Sequence, residues 1–317
     1  MTAVFATGAD EGYGWQLLNL LGSLHVNSRG VFDRIVAYDL GLAPEQRELL
    51  DAVRGVEVRE VPPFVEHWRR GFAWKPWIWR NVAAGGERVL WVDAGATILR
   101  SLAPVVDEID ADGCFLVSQG GALRDLLPRD WFADYGIDEQ LAAHEYAAAG
   151  VIGFAVESEF FARVIVPTQE DCAAGRSLGF SPGEEWTLNR GLNATEEPEL
   201  VDCASFRWDQ SVLNARLFAA FPEPPLHDLR QYAGWQSRRD HPQQLIWHHR
   251  RNGPLTYLTR VPYVQDASVR GRLAGYRQRR QWWLRRHRYF FSATPYVLKL
   301  RALVRALPRG RRPSAPT

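Results

Sequence analysis

The chain is 317 residues long, 46% hydrophobic and 24% charged, with a formal net charge of +1. That is the composition of a soluble globular protein, with enough residues for a full core in one large domain or two. It argues against a membrane-spanning protein, since no apolar run approaches the roughly 20 residues that a spanning helix needs. Cys114, Cys172 and Cys203 are odd in number and far apart, which points to a reducing compartment and away from a disulfide framework or a zinc site. With no basic segment ahead of an apolar core at the N-terminus, a cytoplasmic location is expected.

Ala3-Val4-Phe5-Ala6-Thr7-Gly8 reads as a first strand entering a loop over 9–14, after which Leu17, Leu18, Leu21 and Leu24 mark one stripe of a helix. Residues 34–39 form a strand ending in Asp39, and Pro44 opens a helix through Val53. Residues 56–61 alternate as a strand until Pro62-Pro63 breaks it. A helical stretch around Trp74-Lys75-Pro76-Trp77-Ile78-Trp79 then leads to Arg88-Val89-Leu90-Trp91-Val92-Asp93-Ala94-Gly95. This order of elements, βαβαβαβ, predicts an α/β fold with a mostly parallel, Rossmann-like sheet flanked by helices.

Beyond Asp93 the alternation weakens. Residues 114–118 read as a strand, and 119–148 as an irregular lid or acceptor loop. Residues 149–156 form a buried strand whose glycines invite close approach, and a helix from Ser158 ends by Pro167. Asp209 is a candidate N-cap for a helix over 208–218, and residues 245–253 are a short strand running into a polar turn.

Charge is divided sharply along the chain. Residues 267–317 hold fourteen of the 38 Lys/Arg and none of the 37 Asp/Glu, leaving 24 basic and 37 acidic groups for the rest. Basic residues interleave with Trp282, Trp283, Tyr289, Phe290 and Phe291, and Pro295 starts a helix with Tyr296, Leu300, Leu303 and Leu307 on one face. Such a segment suits an anionic membrane surface, which residues 268–317 are expected to meet; it also suits docking on the chain's own acidic body. Nucleic acid is not expected as a partner, because the body is acidic and carries no recognition motif.

Residues 89–92 form an apolar run ending in a lone acid, as in a strand buried on both faces that delivers Asp93 to the edge of a sheet. Ligands of open α/β sheets sit beyond the carboxyl ends of the strands. Gly95 permits close approach of a ligand or a turn with positive φ. The same segment also fits a buried strand closed by an ordinary turn Asp.

Four pieces in order give the chain a resemblance to GT-A glycosyltransferases, distantly to the glycogenin and bacterial LPS galactosyltransferase-like group. Residues 89–95 match the apolar strand ending in a DxD motif, and Ala149-Gly150-Val151-Ile152-Gly153-Phe154 the acceptor-side strand. Asp209-Gln210-Ser211-Val212-Leu213-Asn214 match a "DQ…lN" helix start, and His248 or His249 with Gly253 the late histidine and glycine. The resemblance covers roughly residues 1–262 as short motifs, leaving 263–317 as a basic helical extension. It implies transfer of a sugar from a nucleotide-sugar donor, for instance a UDP-sugar, to a cell-surface glycan or lipid-linked acceptor at the inner face of the membrane.

The resemblance assigns Lys75 and Asp93 to the donor and Asp209, with Gln210, to the transferred sugar or acceptor. Thr7, Gly8 and Asp39 end the first two strands where a nucleotide would sit, and Gly95 and Gly150 allow the donor a close approach. Glu185 is a candidate general base or a residue of a solvated loop. A leaving nucleoside diphosphate gathers negative charge, so a cation must meet it. Asp93, His248 and His249 are the candidate ligands of a Mn²⁺ or Mg²⁺ ion. Two departures stand out: Gly95 replaces the second acid of the motif, and Ala149 replaces an Asn. Lys75 with Arg250 and Arg251 is the alternative source of positive charge. The rival reading is a non-catalytic binding module of the same fold that recruits partners or glycans to the membrane surface, and the missing second acid supports it.

Overall fold

The computed structural model describes residues 2–179, 203–228, 233–234, 243–250, 253–263 and residue 276. The chain divides into two units, Met1–Asp266 and Ala267–Thr317. Apart from Tyr276, every described residue belongs to the first. Glu185, Arg251 and nearly all of the basic stretch 268–317 therefore lie outside the described residues. Among the described residues, no helix is long and apolar enough to cross a membrane.

The first half is the expected βα alternation. Strands β1 (Ala3–Ala9), β2 (Arg34–Asp39), β3 (Val56–Glu60) and β4 (Arg88–Val92) pair in parallel, in the order β3-β2-β1-β4. The connecting helices are α1 (Gly14–Asn27), α2 (Pro44–Asp51) and α3 (Trp74–Ala83). The leucine stripe of α1 is buried, with Leu20 added to it. Pro44 sits in the first turn of α2, where a missing N–H forfeits no helical bond.

Three further strands extend the sheet. They are β6 (Cys114–Ala122), β7 (Glu145–Ala155) and β8 (Leu226–His227), giving the order β3-β2-β1-β4-β7-β6-β8. Of these described strands only β7 runs against its neighbours, so the sheet is mostly parallel, as expected. A small second sheet pairs β10 (Ile246–His248) antiparallel with β5 (Ala96–Ile98) and parallel with β9 (Ala233–Gly234).

Strand β4 lies at the centre and feeds two cores. Val89 and Trp91 pack with Ile78 and Trp79 of α3 and with Val212 and Leu213 of α8 (Asp209–Ala220). Leu90 and Val92 face the other way, toward Leu20 and Leu24 of α1, Val105 and Ile109 of α4 (Ala103–Asp112), and Ile246. Alternate side chains on a strand point to opposite faces, so burial on both faces requires an unbroken apolar run.

Two expectations are corrected. Residues 119–148 are not an irregular lid: β6 continues to Ala122, α5 (Leu123–Leu126) and α6 (Asp130–Tyr135) follow, and β7 begins at Glu145. Leu123, Leu126, Leu127, Trp131 and Ala142 are all fully buried there. Helices of four and six residues are too short to declare a period, which is why tertiary burial rather than pattern defines them. The helix from Ser158 also continues past Pro167. A π-turn over Phe161–Ile165 leads into α7 (Val166–Ala173) and places Pro167 in its first turn.

One backbone contact ties α1 to the end of the described unit. A Cβ on Gly22 would overlap the Tyr257 carbonyl oxygen and lie 3.0 Å from its carbon. Gly-to-Ala in a helix interior normally gains close to 1 kcal/mol. Gly22→Ala is expected instead to lose about 1–3 kcal/mol through overpacking, seen as a lower Tm in thermal unfolding; an unchanged or higher Tm would show that the contact yields freely.

Candidate active site at the end of strand β4

Three elements converge beyond the carboxyl end of β4. The Asp93 N–H donates to the Gly150 carbonyl of β7 at 2.9 Å, which fixes the backbone. Trp91, two residues earlier and so on the same face, donates its Nε1–H to Asp93 Oδ1 at 2.8 Å. Lys75, the second residue of α3, brings Nζ to 3.1 Å from Asp93 Oδ1 and 3.5 Å from Oδ2. The same ammonium lies 3.3 Å from Oδ2 of Asp209, the first residue of α8. Lys75 and Asp209 side chains are 7% and 5% exposed, whereas that of Asp93 is 39% exposed. The Asp93 carboxylate is thus the open face of an otherwise buried ion cluster.

Glycine makes room for a fourth member. A Cβ on Gly150 would lie 3.2 Å from both Asp93 Oδ2 and His248 Cε1, a tight fit, so glycine here gives carboxylate and imidazole room on the same side of β7. His248 ends β10 and is buried. Aromatic rings roof the cluster: the Phe72 and Trp74 ring centres are 5.6 and 5.7 Å from the Lys75 ammonium. Phe72, Trp208 and Arg250 hold φ of 54°, 46° and 52°, and they are the non-glycine residues with positive φ among those described. All three border this cluster. Strained backbone of this kind persists where surroundings impose it, and it concentrates at ligand sites.

Burial dominates the protonation of these groups. It works against the charge on Lys75, yet the Asp209 and Asp93 carboxylates outweigh it and leave the ammonium pKa above its ordinary value. Burial pushes the Asp209 carboxyl up to about 6, with Lys75 opposing part of the shift. It pushes His248 down to about 4, against the pull of Asp93, so this imidazole is neutral at physiological pH.

The remaining expected residues divide into two groups. Thr7 and Gly8 of β1 and Asp39 of β2 reach the same edge of the sheet as Asp93, in parallel register. Thr7 Oγ1 is buried without a hydrogen-bond partner. The Asp39 carboxylate accepts the Gly41 and Leu42 N–H groups and pairs with Arg47 at 3.0 Å. Although burial opposes it, these partners hold its pKa below the ordinary value. Gln210 donates to the Ala147 carbonyl at 2.9 Å, beside Asn214, which bonds both the N–H and the carbonyl of Ala147. Gln210 and Asn214 thus clamp α8 to β7.

Several assignments change. Asp209 is not the N-cap of α8; that place belongs to Trp208, and the Asp209 carboxylate turns to Lys75. His249 is not drawn to Asp93: its Nε2 meets Thr97 Oγ1 at 2.8 Å and its Nδ1 the Arg250 carbonyl at 2.9 Å. Gly95 has no positive φ and cradles chain rather than ligand, its carbonyl accepting the His249 and Arg250 N–H groups. A Cβ there would lie 2.9 Å from Arg250 Cα, so a second acid has no room. Among the described residues, no three His, Cys, Asp or Glu side chains gather as metal ligands. Asp93 and His248 do fit a hard divalent ion in kind, an accessible carboxylate beside a neutral imidazole.

No protein-family model and no curated protein matches the chain. Solved structures do. The chain is similar to the galactosyltransferase LgtC in complex with donor and acceptor sugar analogues: 14% identity, 77% of this chain, 86% of that one, TM-score 0.45. It is also similar to the apo structure of the bifunctional glycosyltransferase WbbM: 11% identity, 73% of this chain, 39% of that one, TM-score 0.46. Likeness at this level says nothing of chemistry.

Sequence reasoning overlooked Trp91, Phe72 and Trp74. A signal for Trp91 was available, since a residue two before a strand-end acid shares its face. Phe72 owes its place to the turn before α3, which has no pattern of its own, and Trp74 opens α3 beside Lys75.

The two shifted groups oppose each other. Asp209, raised from the usual 3.8 to about 6, makes stability fall as pH rises through that window. His248, lowered from the usual 6.5 to about 4, makes stability rise as pH climbs from about 4 to 6.5. The two shifts are opposite in sign, so each offsets part of the other's pH dependence. Asp209→Asn is expected to leave a Tm that rises between pH 4 and 6.5, and His248→Gln one that falls; slopes of the same sign in both variants would contradict the assignment.

Proposed function

We propose that the chain is a GT-A-type glycosyltransferase acting on a nucleotide-sugar donor. The observation that carries this reading is the convergence of Lys75, Asp93 and Asp209 at the carboxyl end of the central strand, on the edge shared with Thr7, Gly8 and Asp39. The nucleoside lies along the ends of β1 and β2, with a UDP-sugar as the working candidate, and its diphosphate points toward Asp93. Asp209, at the start of α8, is the group offered to the transferred sugar and its acceptor, Gln210 holds α8 on β7 behind it, and Glu185 is the candidate base.

The chain's own groups do most of the work. Lys75 supplies a buried positive field that opposes the charge growing on the leaving diphosphate, and Trp91 keeps the Asp93 carboxylate from rotating. A divalent ion, where bound, would be held by Asp93 and His248 and would supply further charge to the leaving group. The acceptor is a cell-surface glycan or a lipid-linked sugar, met with residues 268–317 on an anionic membrane at its cytoplasmic face; the basic and aromatic composition of that stretch supports this. Gly95, in place of a second acid, favours the rival reading of a binding module without catalysis.

A screen of nucleoside diphosphates and their sugars by calorimetry, followed by donor hydrolysis and transfer assays, separates the readings. The expected result is nucleotide binding with turnover, and a loss of turnover of about 10²–10⁴-fold in Asp93→Asn and in Asp209→Asn, with unchanged circular dichroism. Binding without turnover supports the module; no binding in the presence or absence of Mn²⁺ overturns both.

A further inference from the structure

Phe72 has an unusual position for a large apolar side chain. It is 38% exposed, one of two exposed large hydrophobic residues among those described. Its ring stands over the Lys75 ammonium, which also contacts the open Asp93 carboxylate. Its backbone sits at φ 54°, which costs a non-glycine residue free energy. The strain is imposed from both sides. Gly71 packs so tightly on Ser177 that a Cβ would lie 2.6 Å from the Ser177 carbonyl oxygen. Trp208, itself at φ 46°, places its ring centre 5.1 Å from that of Phe72, and Trp74 lies at 5.9 Å on the same ring.

Two strained residues from distant parts of the chain thus bring aromatic rings together at the mouth of a charged cluster, and leave one of them open to solvent. Burial alone does not account for this, because a buried ring needs no exposed face. Anion recognition does not account for it either, because the open groups are an aromatic ring and a carboxylate. A pyranose ring has the matching chemistry: an apolar C–H face that stacks on an aromatic plane, and equatorial hydroxyls that donate to a carboxylate.

We propose that Phe72, backed by Trp208 and Trp74, is a stacking platform for a pyranose ring whose hydroxyls reach Asp93. The proposal rests on the glycosyltransferase reading for the identity of its sugar, which comes either from the donor or from the acceptor glycan. The strain at Phe72 is then the cost of holding the ring where the sugar meets it.

The test uses the full chain and the variants Phe72→Gly and Phe72→Leu, with UDP, UDP-glucose and UDP-galactose as donor probes and a glycan array, with UDP present, as the acceptor probe. Phe72→Gly removes both the ring and the strain, so it is expected to raise Tm while weakening sugar binding about tenfold. UDP affinity is expected to change by less than sugar binding does. A loss confined to the UDP-sugars assigns the platform to the donor; a loss confined to the array assigns it to the acceptor. If Phe72→Gly lowers Tm and both variants keep wild-type binding to every sugar, the ring is a packing element and the proposal falls, with the transferase reading intact. If the wild type binds no nucleotide and no glycan, the transferase reading falls as well.

Discussion

The Lys75 ammonium, held between Asp93 and Asp209, is the interaction on which the arrangement depends. Taking a lysine and a carboxylate out of water costs several kcal/mol per ion, recovered only by close geometry. A well-packed apolar pair in the same space would serve stability as well or better. The chain nevertheless brings α3, β4 and α8 together at this point, using one of only two lysines among its 38 Lys/Arg residues. A compact ammonium suits a position between two acids better than the planar fork of an arginine. Phe72, Trp74 and Trp91 then surround the cluster with low-polarity surface, which strengthens each charge interaction inside it.

Two glycines serve opposite ends. Gly150 leaves space in front of β7, so that Asp93 and His248 share one face. Gly95 is filled by its neighbours: the 249–250 turn folds onto it and donates two N–H hydrogen bonds to its carbonyl. That packing fixes His248 at the end of β10 and turns His249 into a strut. A Cβ on Gly253 would overlap the His249 ring, which closes the strut from the other side. The departure from the DxD pattern therefore has a structural counterpart, since the place of the second acid is occupied by chain.

Much of the fold was legible because it is periodic. Strands β1 to β4 and helix α2 lie within a residue or two of where the sequence placed them, α1 and α3 lie where it expected helices, and the run 89–92 was readable as a strand with two buried faces. Short and non-local features were not. β10 was readable as a short strand, but its pairing with β5 joins segments nearly 150 residues apart, and β5, three residues long, has no pattern of its own. Pro167 was read as a stop because the π-turn that accommodates it leaves no trace in composition. At the site, Asp93 was visible as a lone acid after an apolar run. The turn of Asp209 toward Lys75 was not, because a capping acid and a buried ion-pair partner look alike in sequence. His248 and His249 were both candidates, and only the register of β10 on β5 says which of them meets Asp93.

The unfolding free energy of Lys75→Met, alone and combined with Asp209→Asn, tests the central claim most directly. Removing the ammonium alone leaves Asp209 buried without its cation and is expected to cost about 3–5 kcal/mol. The double variant, in which the Asp93 carboxylate that remains is 39% exposed and can be solvated, is expected to recover most of that loss. If Lys75→Met is as stable as the wild type, or if the two substitutions simply add, the ammonium does not bridge these acids and the site is not built as described.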